Sequence, residues 1–152
     1  MIIFLDTNIL FELIEDREQS NYVYRILDEL SGNAEFYISV GCFYTLTYVV
    51  DKHMRQEGIF NPERTLAVKK VLRFILKTCR IANLDWDGLS CAIESDDFQD
   101  LEDSYQYQAA LSCQADILLT INIKDFLGIK DHIVTVLTPK EFVKTLPSTD
   151  GV

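Results

Sequence analysis

The chain has 152 residues, 48% of them hydrophobic, with only six glycines and three prolines. That suits one compact domain with a real core and excludes a linker or low-complexity chain. A net charge of −10 argues against a general nucleic-acid glue, whose footprint is basic. No apolar run approaches the ~20 residues of a membrane span, and no basic n-region precedes the short apolar start. A cytoplasmic protein without a membrane partner is expected.

The opening "MIIFLDTNIL" reads as a short buried strand, Ile2 to Leu5, stopped by Asp6-Thr7-Asn8. Thr7 or Asn8 is the expected cap of a helix whose stripe is Ile9, Leu10, Leu13 and Ile14. A second helix fits Glu18 to Leu30, with Gly32 as its stop, and "EFYISV" is the next strand. The aromatic stretch from Gly41 to His53 reads as a helix, with Phe43 to Tyr48 serving the core or a partner surface. Asn61-Pro62 opens another, Asn as cap and Pro at the first helical position. Its buried face is Val68, Val71, Leu72 and Ile75, and Lys69, Lys70, Arg73 and Lys77 face outward. "RIANL" is a candidate strand, with a helix starting near Trp86.

The last third alternates: a helix from Glu102 to Cys113, the strand "DILLT", the turn "NIKDF", the strand "IVTVLT", and a closing helix from Pro139. Strands separated by single helices imply βαβ units and a parallel sheet covered on both faces. The expected fold is a three-layer α/β/α sandwich over residues 1–146, with 147–152 as a flexible tail.

The four cysteines form no CxxC pair and only two histidines exist, so zinc ligation is not offered and reduced, buried thiols are expected. Oxygen ligands are plentiful, with 24 Asp and Glu. Six of the ten residues from Glu94 to Asp103 are acidic. Ligands of an open parallel sheet gather at the C-terminal ends of its strands. Asp6, Asn122 and Asp125 follow such ends, and Asp103 opens the helix before the fourth strand.

If they converge, they offer the oxygen-only pocket that Mg²⁺ prefers, with substrate phosphate completing the shell. A cation held there can activate water for phosphodiester hydrolysis. Duller roles exist for each group. Asp6 can be a strand-end turn residue, Asp100 a helix cap with Asp103 in its first turn, and Glu94, Asp96 and Asp97 a solvated loop. The lysine row can be an ordinary exposed helix face. A phosphotransferase of the dehalogenase type wants Asp-x-Asp after the first strand, and Asn8 stands in the second place.

Taken in order, "IIFLDTNIL", "DLEDSYQYQAAL", "ADILLTINIKDF" and "VLTPKEF" resemble the PIN domain over roughly residues 1 to 146. The resemblance implies an α/β/α nuclease that binds Mg²⁺ or Mn²⁺ through clustered acids and cuts RNA. It further implies kinship with VapC-type toxins, commonly homodimers, each paired with an antitoxin. Asp6, Asp103 and Asp125 take the metal-binding and catalytic places. Thr7, Asn8, Glu102 and Asn122 line the site, and Lys69, Lys70 and Arg73 are candidates for substrate contact. Two positions depart from the family pattern. Thr45 stands where many members carry a glutamate, and Asn122 stands where an aspartate is usual. They open an alternative, a catalytically weakened PIN module that binds RNA or a protein.

Overall fold

The computed structural model describes residues 1–147; the expected tail therefore falls, but for Pro147, outside the described residues. Five strands, β1 (Ile2–Leu5), β2 (Glu35–Ser39), β3 (Cys79–Ala82), β4 (Ile117–Leu119) and β5 (Thr135–Leu137), form an all-parallel sheet in the order β3-β2-β1-β4-β5. Between and after them run α1 (Thr7–Ile14), α2 (Ser20–Glu29), α3 (Val40–Gln56), α4 (Glu63–Thr78), α5 (Trp86–Glu94), α6 (Leu101–Ser112) and α7 (Pro139–Val143), with a 3₁₀ helix at Ile123–Phe126. This is the α/β/α sandwich expected from the alternation of elements.

The apolar run of β1 is continuous because both faces of the sheet are covered. Ile3 and Leu5 point to one side, against Ile9, Ile26 and Leu46 of the helices there. Phe4, between them, points to the other side, toward Tyr107 and Ala110 of α6. Small residues on α6, Ser104, Ala109 and Ala110, are fully buried and let that helix lie close to its neighbours; the Ser104 hydroxyl donates to the Ala92 carbonyl at 2.8 Å. The central strand β1 pairs with β2 on one edge and with β4 on the other, Ile3 opposite both Phe36 and Ile117.

Several sequence expectations shift. Asp6, not Thr7 or Asn8, caps α1, because its extended backbone lets its carboxylate accept from Thr7 N–H at 2.6 Å. The second helix starts at Ser20 rather than Glu18: the buried Glu12 carboxylate takes the Gln19 N–H at 2.7 Å and holds the preceding turn. Pro62, not Asn61, occupies the cap position of α4, and the Asn61 amide oxygen accepts from the Thr65 hydroxyl instead. Val68 and Ile75 of that helix are buried, whereas Val71 and Leu72 are only partly so. All four thiols are free, but Cys91 is exposed on the outer side of α5, and Cys113 is half-buried. Asp97, expected in a solvated loop, pairs with Lys130 at 2.8 Å.

The closing helix carries a reciprocal cap. The Thr138 hydroxyl accepts from Glu141 N–H at 3.1 Å, and the Glu141 carboxylate accepts from Thr138 N–H at 2.9 Å. Thr138→Ala is expected to cost about 1 kcal/mol in urea denaturation at neutral pH. The Thr138 backbone N–H holds the Glu141 carboxyl below its ordinary value of 4.5. The Thr138 hydroxyl, donating to the same carboxylate at 2.8 Å, adds to the lowering and is the part alanine removes. Its contribution is present above that value and lost as pH falls through the lowered one, so the gap between variant and wild type should narrow in acid.

Candidate active site

The β1–β4 ladder runs one residue past β1: Asp6 N–H donates to the Leu119 carbonyl at 3.0 Å. That register sets Asp6 beside Thr120, at the edge where the parallel strands end. Asp6 is 3% exposed, and every partner it has is a neutral donor. Thr7 N–H reaches Oδ1 at 2.6 Å, while the Asn8 amide and the Thr120 hydroxyl reach Oδ2 at 2.6 and 2.7 Å. Burial pushes its carboxyl up to about 6, the bonds from Thr120, Thr7 and Asn8 oppose the rise, and Glu102 adds to it.

Asp103 sits in the first turn of α6, whose cap is Asp100, accepting from Glu102 N–H at 2.8 Å. Its carboxyl is pushed up to about 7, first by burial and then by the charges of Asp6, Asp125, Asp100 and Glu102. Residues far apart in the chain thus meet in one field. Glu102 joins the cluster through Thr7, whose hydroxyl donates to Glu102 Oε1 at 3.3 Å and accepts from Gln106 Nε2 at 2.8 Å. Asp125 stands on the 3₁₀ helix, held from below by buried Phe126 against Phe98, ring centroids 5.8 Å apart.

A PIN domain family model matches residues 2–124. The chain belongs to the PIN domain family. No curated protein matches the chain. Among solved structures, VapBC2 from Rickettsia felis, bound to a promoter DNA fragment, is similar at 21% identity and a TM-score of 0.66, over 91% of this chain and 98% of that one. VapBC-1 from nontypeable Haemophilus influenzae is similar at 18% identity and a TM-score of 0.64, over 92% and 99%. VapC20 of Mycobacterium tuberculosis, a sarcin-ricin loop cleaving toxin, is similar at 11% identity and a TM-score of 0.54, over 84% and 98%.

In this PIN domain the donors suit a hard divalent ion. They are carboxylate oxygens, partly desolvated, and none of Asp6, Asp103 and Asp125 has a cationic partner among the described residues. Among those residues no group of three or more Asp, Glu, His or Cys side chains is arranged to hold a metal ion. An open set of this kind fits Mg²⁺, which keeps waters and shares phosphate oxygens. Thr45, on α3, lines a cleft together with Glu102. Asn122 is exposed, and its backbone N–H donates to Thr120 Oγ1 at 3.0 Å. Lys69, Lys70 and Arg73 are exposed on α4. That helix leads into the far edge of the sheet, where Lys77 borders a groove with Gly32 and Ala34.

Thr120 escaped the sequence reading, although a polar residue closing the buried run "ILL" was a usable signal. It is fully buried and is the hub of the site, bonded to Asp6, Asn8 and Asn122. Thr120→Val keeps the shape and strands those partners. A loss of about 1–3 kcal/mol is expected in urea denaturation. Gln106 and Tyr105 were also passed over, since nothing local distinguishes them from the rest of "DSYQYQAAL".

Proposed function

We propose that this PIN domain is a divalent-metal-dependent endoribonuclease acting in the cytoplasm as the toxin of a toxin–antitoxin pair. The observation that carries the proposal is the convergence of Asp6 and Asp103, from opposite ends of the chain, on one half-buried and uncompensated negative site. Asp6, Asp103 and Asp125 would hold Mg²⁺ or Mn²⁺. The ion, when bound, lowers the pKa of water and stabilises charge on the phosphate and the leaving oxygen. The chain's own part is orientation. Thr7 N–H fixes Oδ1 of Asp6, and Asn8 and Thr120 fix Oδ2, which leaves Oδ1 the spare acceptor capacity for an ion. Thr7 and Gln106 keep Glu102 at the rim, where it can orient an attacking water in line with the scissile bond.

Likeness to a sarcin-ricin loop cleaving toxin supports RNA as substrate, and likeness to VapBC complexes supports an antitoxin partner. Exposed Tyr44, Tyr48 and Trp86 suit a contact with a second copy or with that antitoxin. Lys69, Lys70 and Arg73 would meet RNA backbone.

Purified protein with Mn²⁺ is expected to cleave RNA, and Asp6→Ala and Asp103→Ala are each expected to lose that cleavage. Equal cleavage by both variants would mark a contaminant and overturn the proposal. Thr45 and Asn122, in place of acids, favour a second reading, a non-catalytic module. It predicts no heat of Mg²⁺ or Mn²⁺ binding to the wild type in calorimetry.

A further inference from the structure

Beside the carboxylate cluster lies a cleft of about 310 Å³, at the small end of the ~300–1,000 Å³ typical of ligand sites. It opens between the first turns of α3, the end of β3 and one side of α6. Val40, Leu84 and Leu89 give it apolar walls, and Tyr105 supplies a ring. Thr45 and Asn83, both exposed, offer polar groups at its rim. Gln106, only 4% exposed, also lines it; its Nε2 donates to Thr7, and its amide oxygen has no hydrogen-bond partner among the described residues.

We infer that this cleft receives one unstacked nucleobase of single-stranded RNA next to the scissile phosphodiester. The inference rests on the ribonuclease reading above and adds how the substrate is seated. Charge decides which part of a nucleotide enters. Glu102 lines the cleft and Asp6 and Asp103 are its neighbours, so a phosphate is repelled where no cation stands, whereas a neutral base is not. Apolar walls, an aromatic ring and a few free polar groups match a flat heteroaromatic with donors and acceptors on its edge. On the β4 side of the cluster a groove of about 570 Å³ runs past Asp125, with Asp96, Asp97, Phe98, Gln99 and Lys124 on its walls, so that it too favours a base over a bare phosphate. A strand lying from groove to cleft crosses the carboxylates between its two footholds, which places the seated base adjacent to the bond that breaks.

The test uses single-stranded RNA oligonucleotides spanning a site cut in the Mn²⁺ assay. Each carries one abasic position, and binding is measured by fluorescence anisotropy with Ca²⁺ in place of Mn²⁺. One position flanking the cut is expected to lose about tenfold in affinity when its base is removed, the size of one base–aromatic stack. Leu89→Trp, which fills the cleft from an exposed wall position, is expected to weaken the intact oligonucleotide by a similar factor and to abolish the abasic penalty; Asn83→Ala should reduce it. A flat abasic walk with a wild type that still cleaves overturns the base-seating inference alone. So does a Leu89→Trp penalty spread equally over all oligonucleotides, or one that follows a change in oligomeric state by light scattering. If the wild type neither cuts nor binds RNA, the ribonuclease reading fails first and this inference falls with it.

Discussion

Without metal at pH 8, Asp103→Asn is expected to melt about 2–4 °C above the wild type, and saturating Mn²⁺ is expected to reverse the order. The reason is repulsion. Asp103 is half-buried among Asp6, Asp125, Asp100 and Glu102, and its carboxyl is pushed from 3.8 to about 7. A raised carboxyl means that the native state holds the proton more tightly than the unfolded chain does. The destabilisation is absent well below 3.8, grows as pH rises, and is complete above about 7. Discounted for solvent screening of a partly exposed group, it amounts to about 1 kcal/mol, which sets the shift in melting temperature for a domain of this size. The gain from asparagine should vanish at pH 4.

A cation in the cluster turns the same charges into ligands. At a hundred times its dissociation constant it would stabilise the wild type by about 2.7 kcal/mol, and the variant by much less. Equal stabilisation of both proteins by Mn²⁺, in a thermal melt or by calorimetry, would exclude Asp103 as a ligand.

The second large effect belongs to a residue with no chemistry of its own. A Cβ added at Gly128 meets the Asp97 carbonyl oxygen at 2.2 Å and its carbonyl carbon at 3.1 Å, both backbone atoms that cannot swing aside. Gly128 is there for close approach, since the loops after β4 and α5 touch at this point. Phe126 packs on Phe98 just before it, and Lys130 bonds Asp97 just after. Together they clasp the 3₁₀ helix of Asp125 to the segment that leads into α6 and Asp103. Gly128→Ala is expected to cost about 2–3 kcal/mol in urea denaturation, as overpacking does. Metal affinity should fall with it, because the two carboxylates lose their common support. Lys130→Ala removes only an exposed ion pair and should leave the urea midpoint close to that of the wild type. Similar losses from the two variants would mean that the contact at Gly128 relaxes without strain.

What could be read in the chain beforehand follows from how local each signal is. Strands β1 and β4 are announced by unbroken apolar runs because both of their faces are buried, and the helices by stripes such as Ile9, Leu10 and Leu13. The acids at strand ends were legible for the same reason, as polar residues closing apolar runs. Their convergence became an expectation through the resemblance of four ordered motifs, since spacing alone leaves the path of α6 open. Features that depend on a distant partner were silent. Gly128 is informative only beside Asp97, and the Tyr105 cleft only once α3, β3 and α6 have met. The cap on α1 was misassigned because Asp, Thr and Asn are all competent caps, and the extended backbone at Asp6 chose among them.

The placement of β1 at the middle of the sheet also orders events in time. Asp6 is synthesised 114 residues before Thr120, whose hydroxyl grips it, and well before Ile117 to Leu119, the strand that flanks it. Until that late segment emerges, the first strand has a partner on one edge only and the carboxylates have no common site. A nascent chain therefore carries that acid through the whole intervening stretch with nothing to assemble it, and any activity of the cluster waits for β4.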